Sequence, residues 1–216
     1  QYVFQLMATD NKGATGVNKV IINISLPPVM TLTLQPSSNS NEVRVGIVGS
    51  QNISGPNYKN IVAAAWTVNG NITYIRGLFK FDLSSIPGSA RILNARLSLY
   101  SDHTPTEGNL VDANYGNNNA MFLQRAISNW NVSTVTWQSQ PAGDVATQMT
   151  IPHTAQSTLD LIDLDVTAQV KDMQQFGNYG FLLKLQDETI YTSRIFYSST
   201  ASDASKHPKL IVQYSN

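Results

Sequence analysis

The sequence predicts an all-β protein: a jelly-roll-type β-sandwich with one short helix, plus an N-terminal β-hairpin. Three observations lead there. Apolar residues recur with a period of two through nearly every structured run. Gly, Asn and Pro punctuate those runs at short intervals. One stretch alone, "DVTAQVKDMQQFG", carries a helical period, with Val166, Val170 and Met173 on a single stripe. Many short strands around one helical segment describe a sandwich rather than a bundle or an α/β fold.

The chain opens inside a strand. In "QYVFQLMATDNKGATG", Tyr2, Phe4 and Leu6 alternate with Val3, Gln5 and Met7, and Asn11, Lys12 and Gly13 supply a tight reversal. "VNKVIINIS" then sets Val20, Ile22 and Ile24 on one face. The start reads as a segment of a longer polypeptide. An isolated two-stranded hairpin is marginal in water. The hairpin is therefore expected to dock through Tyr2, Phe4, Leu6, Val20, Ile22 and Ile24. Its host is either its own module, a neighbouring domain or another copy of the chain, joined by strand addition.

Pro27 and Pro28 stop the pairing, and three units follow: the hairpin at 1–26, a linker with the first module strand at 27–41, and the module at 42–216. Within the module, Leu32 and Leu34 share a face, as do Val43, Val45 and Ile47. "YIRGLFKFDLSSIP" places Phe79, Phe81 and Leu83 inward, with Lys80 and Asp82 outward. "RILNARLSLYS" sets Leu93, Ala95, Leu97 and Leu99 in register. "AMFLQRA", "STLDLIDL", "YGFLLKLQ", "SRIFYSS" and "KLIVQYS" complete the strands. Asp165 or Thr167 caps the helix and Gly177 ends it.

Composition narrows the functions. With 14 basic and 14 acidic side chains the formal net charge is +0, which offers no field for nucleic acid or an anionic membrane. Charged residues make up 13% of the chain, against about 25% in ordinary soluble domains. There are no cysteines, hence no disulfide framework and no thiol chemistry. No apolar run approaches the roughly 20 residues of a transmembrane helix, so no membrane insertion is expected.

Four motifs in order carry a resemblance: "RGLFKFDLSSIPGSARILNARLSLY", "STVTWQSQPAG", "LDVTAQVKDMQQFGNYGFLLKLQDE" and "RIFYSSTASDASKHPKLIVQY". Over Thr31 to Tyr214 the chain resembles the DNRLRE-domain family, which is related to carbohydrate-binding module family 96. That resemblance implies a secreted, non-catalytic β-sandwich module of large bacterial or archaeal cell-surface proteins. Some relatives bind acidic polysaccharide. Two departures stand out: Glu42 and Val43 occupy a position where members often show an Asp, and "NYK" at 57–59 replaces "NYG". The opening strands look like the last two of a PKD-type, immunoglobulin-like repeat.

The residues themselves offer little chemistry. His103, His153 and His207 lie in separate loops without ligand spacing, and no nucleophile elbow, phosphate loop or dinucleotide fingerprint occurs. Asp160, Asp163, Asp165, Asp187 and Glu188 are the candidates for a structural Ca²⁺, a hard cation that takes several oxygen ligands. Catalysis by paired carboxylates ranks last. Carbohydrate binding calls for exposed aromatic rings beside polar groups. Tyr58, Trp66, Tyr74, Tyr115 and Trp130 are its candidates, with Arg76 placed to meet a uronate carboxylate bidentately. Trp137 is expected as a core or corner residue. The leading reading is a structural or adhesive extracellular module that binds polysaccharide. The alternative is a filament or sheath subunit joined through its N-terminal strands, a heterologous contact that does not close.

Overall fold

A computed structural model describes residues 1–25, 27–36, 41–55 and 59–216. Tyr58 lies outside the described residues. The first half of the chain supplies β1 (Tyr2–Thr9), β2 (Thr15–Ile22), β3 (Val29–Leu34), β4 (Glu42–Val48), β5 (Gln51–Asn52), β6 (Asn60–Val68), β7 (Asn71–Phe79) and β8 (Arg91–Leu99). The second half supplies β9 (Met121–Arg125), β10 (Met149–Ile151), β11 (Leu161–Asp165), α1 (Thr167–Phe176), β12 (Phe181–Leu185), β13 (Thr192–Tyr197) and β14 (Lys209–Ser215).

These strands make an antiparallel sandwich. The smaller sheet runs β11-β8-β14-β3. The larger runs β10-β9-β12-β7-β4-β5, with β6 pairing β7 and β13 pairing β6. The chain crosses to the smaller sheet at β3, β8, β11 and β14, and the inner faces of the two sheets bury one another's apolar residues. Phe79, Phe81 and Phe181 form the aromatic centre, with Phe79 and Phe181 stacked 5.4 Å apart. Leu97, Leu99, Leu183 and Val212 pack around them.

The larger sheet is also covered on its outer side. Leu182, between the inward Phe181 and Leu183, turns instead to Leu78, Val43 and Val45. Trp130 and Val135, from the long connection after β9, close this second cluster. A third, on the opposite face of β7 where Ile75 lies across from Ala64, holds Val62, Ala64, Ile75 and Ile195 beneath Ala113, from the connection after β8. With Ile61, Ala63 and Ala65 in the main core, covering of Val62 and Ala64 by this last loop explains why β6 is buried along Asn60–Ala65 rather than alternating.

The helix forms where its stripe predicts. Val170 and Met173 are buried, and Val166 occupies the N-cap position with its side chain in the core. Asp165 caps from one residue earlier: its Oδ1 accepts from the Thr167 backbone N–H at 3.1 Å and from Thr167 Oγ1 at 2.6 Å. Gly177, at φ 107°, ends the helix.

The register of β8 corrects one expectation. Ile92 is buried while Leu93 faces solvent. Opposite them on β14, Gln213 pairs with Asn94 and Tyr214 with Ile92, so Leu93 is the extra residue of a β-bulge. Alternation resumes correctly from Ala95.

The N-terminal ribbon stands apart from both sheets of the sandwich. β1 and β2 pair from Tyr2↔Ile22 to Thr9↔Thr15. The turn is closed by Asp10, whose Oδ1 accepts from the Lys12 and Ala14 N–H groups, with Gly13 at φ 85°. The register does place Tyr2, Phe4, Leu6, Val20 and Ile22 on one face. Yet every residue of both strands is exposed, and neither strand joins a sheet of the sandwich. That face, and Ile24 beyond it, meets no partner surface among the described residues of this chain.

Candidate functional site

Strand geometry divides the aromatic candidates into two groups. In the β6–β7 pair, Trp66 lies opposite Thr73, and Ala65 opposite Tyr74. Paired residues share a face and neighbours alternate. Trp66 therefore projects from one face, Tyr74 and Arg76 from the other. They do not build one platform.

On the Trp66 face lies a groove of about 620 Å³. One wall is the loop before β9. It is fixed by the Asn114 N–H donating to Ser157 O at 2.9 Å and by a two-way backbone bridge between Tyr115 and Ser193, 3.0 Å in each direction. Gly116 follows at φ 102°, where an added Cβ would fall 2.7 Å from Thr192 Oγ1 and 2.9 Å from Tyr191 O. Only glycine allows the two walls to come this close.

The other wall is the connection from β12 to β13. It turns back through Tyr191, whose φ of 66° is unusual for so large a side chain. Such backbone costs about 1–3 kcal/mol and persists where surrounding structure enforces it. Here the enforcement comes from Thr192 entering β13 and from the Tyr191 ring. That ring meets Trp66 edge-on at 5.2 Å, and Tyr115 meets the same indole edge-on at 5.5 Å. Trp66, half-buried, thus braces both tyrosines, while Tyr115 stays 39% and Tyr191 53% exposed. Asn117, Asn118, Asp187, Thr189 and Thr192 line the same groove with polar groups. Fixed aromatic surface beside a few hydrogen-bonding groups suits a ligand with apolar C–H faces and hydroxyl edges.

The second group gathers on the opposite face. Tyr74 stacks with Trp137 at 6.1 Å and 24°. The Arg76 guanidinium lies 4.4 Å over the same indole. Arg76 does make a bidentate carboxylate contact, but with Glu188: Nε donates to Oε1 at 2.7 Å and Nη2 to Oε2 at 3.0 Å. Its fork is already taken, which corrects the expectation that it awaits a ligand's carboxylate. Beside it, Arg76, Lys184, Gln124 and Gln140 line a smaller groove of about 330 Å³.

Trp130 departs from the place expected of it. Trp130 is buried at 6% exposure, with its indole N–H donating to Tyr179 O at 2.7 Å and Lys80 over its ring. It belongs to the core under Leu182 and is not a free stacking surface. Trp137 is only half-buried, on the Tyr74–Arg76 layer. Tyr191, which sequence reasoning missed, sits in a short polar connection without period, so nothing local marks it.

The acidic candidates for Ca²⁺ are dispersed. Asp160 accepts from the Ser101 N–H at 2.8 Å, Asp163 accepts from Ser98 Oγ at 3.5 Å, and Asp165 faces Arg96 at 3.3 Å and caps the helix. Glu188 is held by Arg76, and Asp187 faces the tyrosine groove. Among the described residues, no three His, Asp or Glu side chains gather as a metal site.

No curated protein matches the chain. The sequence profile of carbohydrate-binding module family 96 matches residues 55–214, a span that includes β6–β13, β14 up to Tyr214 and every described residue of the tyrosine groove. The chain belongs to carbohydrate-binding module family 96.

Proposed function

We propose that this module is a non-catalytic, extracellular polysaccharide-binding unit whose binding surface is the groove between Tyr115 and Tyr191. The supporting observation is the pair of exposed tyrosine rings, both braced edge-on by Trp66 in a groove lined by amides and hydroxyls. Pre-set rings lose little rotational freedom when a sugar stacks on them. Affinity electrophoresis through gels containing soluble polysaccharides tests the reading. Tyr115→Ala and Tyr191→Ala are each expected to weaken retardation about tenfold, as truncated aromatic anchors do. Incubation with the retarding glycan is expected to release no new reducing ends. Retardation untouched by both tyrosine variants but lost in Trp137→Ala would move the site to the Arg76 face.

A second reading concerns the ribbon. Its apolar face, with Tyr2, Phe4, Leu6, Val20 and Ile22 exposed, favours docking on a neighbouring domain or another copy of the chain. Self-assembly through it would make the chain a filament or sheath subunit. Size-exclusion chromatography of the full chain against a chain lacking residues 1–25 separates the cases. Assemblies that vanish with the ribbon support strand-mediated polymerisation; assemblies that persist unchanged, or a monomer in both, exclude it.

A further inference from the structure

We infer that β3 is the edge that accepts the N-terminal ribbon of a second copy of the chain, with β1 as the added strand. The inference rests on the self-assembly reading above and names the surface that such assembly uses. A sheet edge presents a row of unpaired backbone groups, and stable proteins blunt it by shortness, bulges, charge or cover. The other edges of this sandwich are blunted. β5 has two residues and β10 three. β11 is broken by a register shift between Leu161 and Leu164, with Asp163 at φ 55°. β13 is bridged on the side away from β6 by the Ser101↔Phe196 and Tyr115↔Ser193 pairs. β3 has none of these devices. It pairs with β14 residue for residue from Val29↔Ser215 to Leu34↔Leu210 and carries neither charge nor proline. Among the described residues, no strand lies on its other side.

The side chains point the same way. Met30, Leu32 and Leu34 pack against the main core yet stay half-buried, whereas Leu210 and Val212 on the neighbouring β14 are fully buried. The core is therefore thinly covered along its β3 border, and one more strand with alternating apolar residues would close it. β1 is such a strand. Tyr2, Phe4 and Leu6 alternate and are exposed, and no residue of Tyr2–Thr9 is charged. It pairs only with β2, so among the described residues its outer edge is as open as that of β3. β2 fits less well, since Lys19 would bring a charge to the join. The acceptor lies on another copy because Pro27 and Pro28 stand between the ribbon and its own β3. Proline fixes φ near about −65° and holds the residue before it extended, so this arm leads the ribbon away from its own edge. Donor and acceptor are different surfaces, so each copy can give one ribbon and receive another.

Light scattering coupled to size-exclusion chromatography tests donor and acceptor separately in the full chain. Thr31 and Thr33 face solvent on β3, so Thr31→Lys with Thr33→Lys charges the acceptor edge without entering the core. Phe4→Lys with Leu6→Lys does the same to the donor, whose side chains are exposed. The unaltered chain is expected to assemble as its concentration rises, and each double variant is expected to stay a monomer. Mixed in equal amounts, the two variants are expected to form a one-to-one dimer. The β3 variant still gives an intact ribbon, and the β1 variant still receives one. Assembly kept by the β3 variant but lost by the β1 variant overturns β3 as the acceptor and leaves self-assembly through the ribbon standing. Two monomeric variants that fail to combine overturn the β1–β3 pairing. An unaltered chain that remains a monomer at every concentration, or a β1 variant that assembles unchanged, overturns the self-assembly reading together with this inference.

Discussion

The N-terminal ribbon and the β8–β14 pair come from the same kind of sequence and end in opposite surroundings. In the ribbon, Tyr2 and Ile22 face each other, then Phe4 and Val20. In the sandwich, Ala95 faces Val212 and Leu97 faces Leu210. Both pairs alternate, both are antiparallel, and both satisfy their inner backbone groups. The β8–β14 residues are fully buried because the larger sheet lies over them, while those of the ribbon stay exposed. Alternation specifies a strand and its pairing. It does not supply the second surface that burial requires.

The sharpest way to break this comparison is to truncate one aromatic ring in each region. Phe181→Ala removes a fully buried side chain stacked on Phe79 and is expected to cost about 3–5 kcal/mol. The Phe4 ring is 58% exposed. Phe4→Ala is expected to change monomer stability by less than about 0.5 kcal/mol, as surface substitutions do. Urea unfolding followed by tryptophan fluorescence reads both, since Trp66, Trp130 and Trp137 all lie in the sandwich. A Phe4→Ala cost above about 1 kcal/mol at low protein concentration would show the ribbon packed on the module after all.

The same contrast explains what was legible in the residues. Two-fold and helical periods carry burial wherever one face meets the core, so Phe79, Phe81, Val170 and Met173 fall where their spacing puts them. Leu93 escapes because a bulge inserts one residue without changing the local pattern. Trp130 and Trp137 sit seven positions apart in one connection, each among polar neighbours. Their fates depend on where that loop lands on the outer face of the larger sheet. Trp130 lands over Leu182 and Leu78, Trp137 over Tyr74 and Arg76. The groove is less legible still. Trp66 and Tyr115 are nameable as aromatics near loops, but their meeting with Tyr191 depends on the Tyr115–Ser193 bridge and the close approach at Gly116, both long-range.

A smaller effect sharpens the comparison through pH. Two glutamates in the larger sheet and its covering loop are buried enough to resist ionisation. Burial raises the Glu42 carboxyl above the ordinary glutamate value. It does so although Oε2 accepts from the Ser199 N–H at 2.7 Å and from Ser199 Oγ. Burial likewise raises Glu107, outweighing the pull of its ion-pair partner Arg44. An acid whose folded value is raised binds more protons folded than unfolded. Its stabilising contribution is therefore complete below the ordinary glutamate value of about 4.3 and is lost as pH rises through the raised value. The depressed aspartates, Asp144 and Asp165 among them, act in the opposite sense, and only at pH values below the ordinary aspartate range. The urea midpoint is thus expected to fall modestly from about pH 5 toward about pH 7, by the same amount with or without residues 1–25. Glu42→Gln, which cannot ionise, should flatten part of that slope. A midpoint that rises over this range would mean that both glutamates ionise more readily folded than unfolded, and that the covering loops leave the larger sheet open to water.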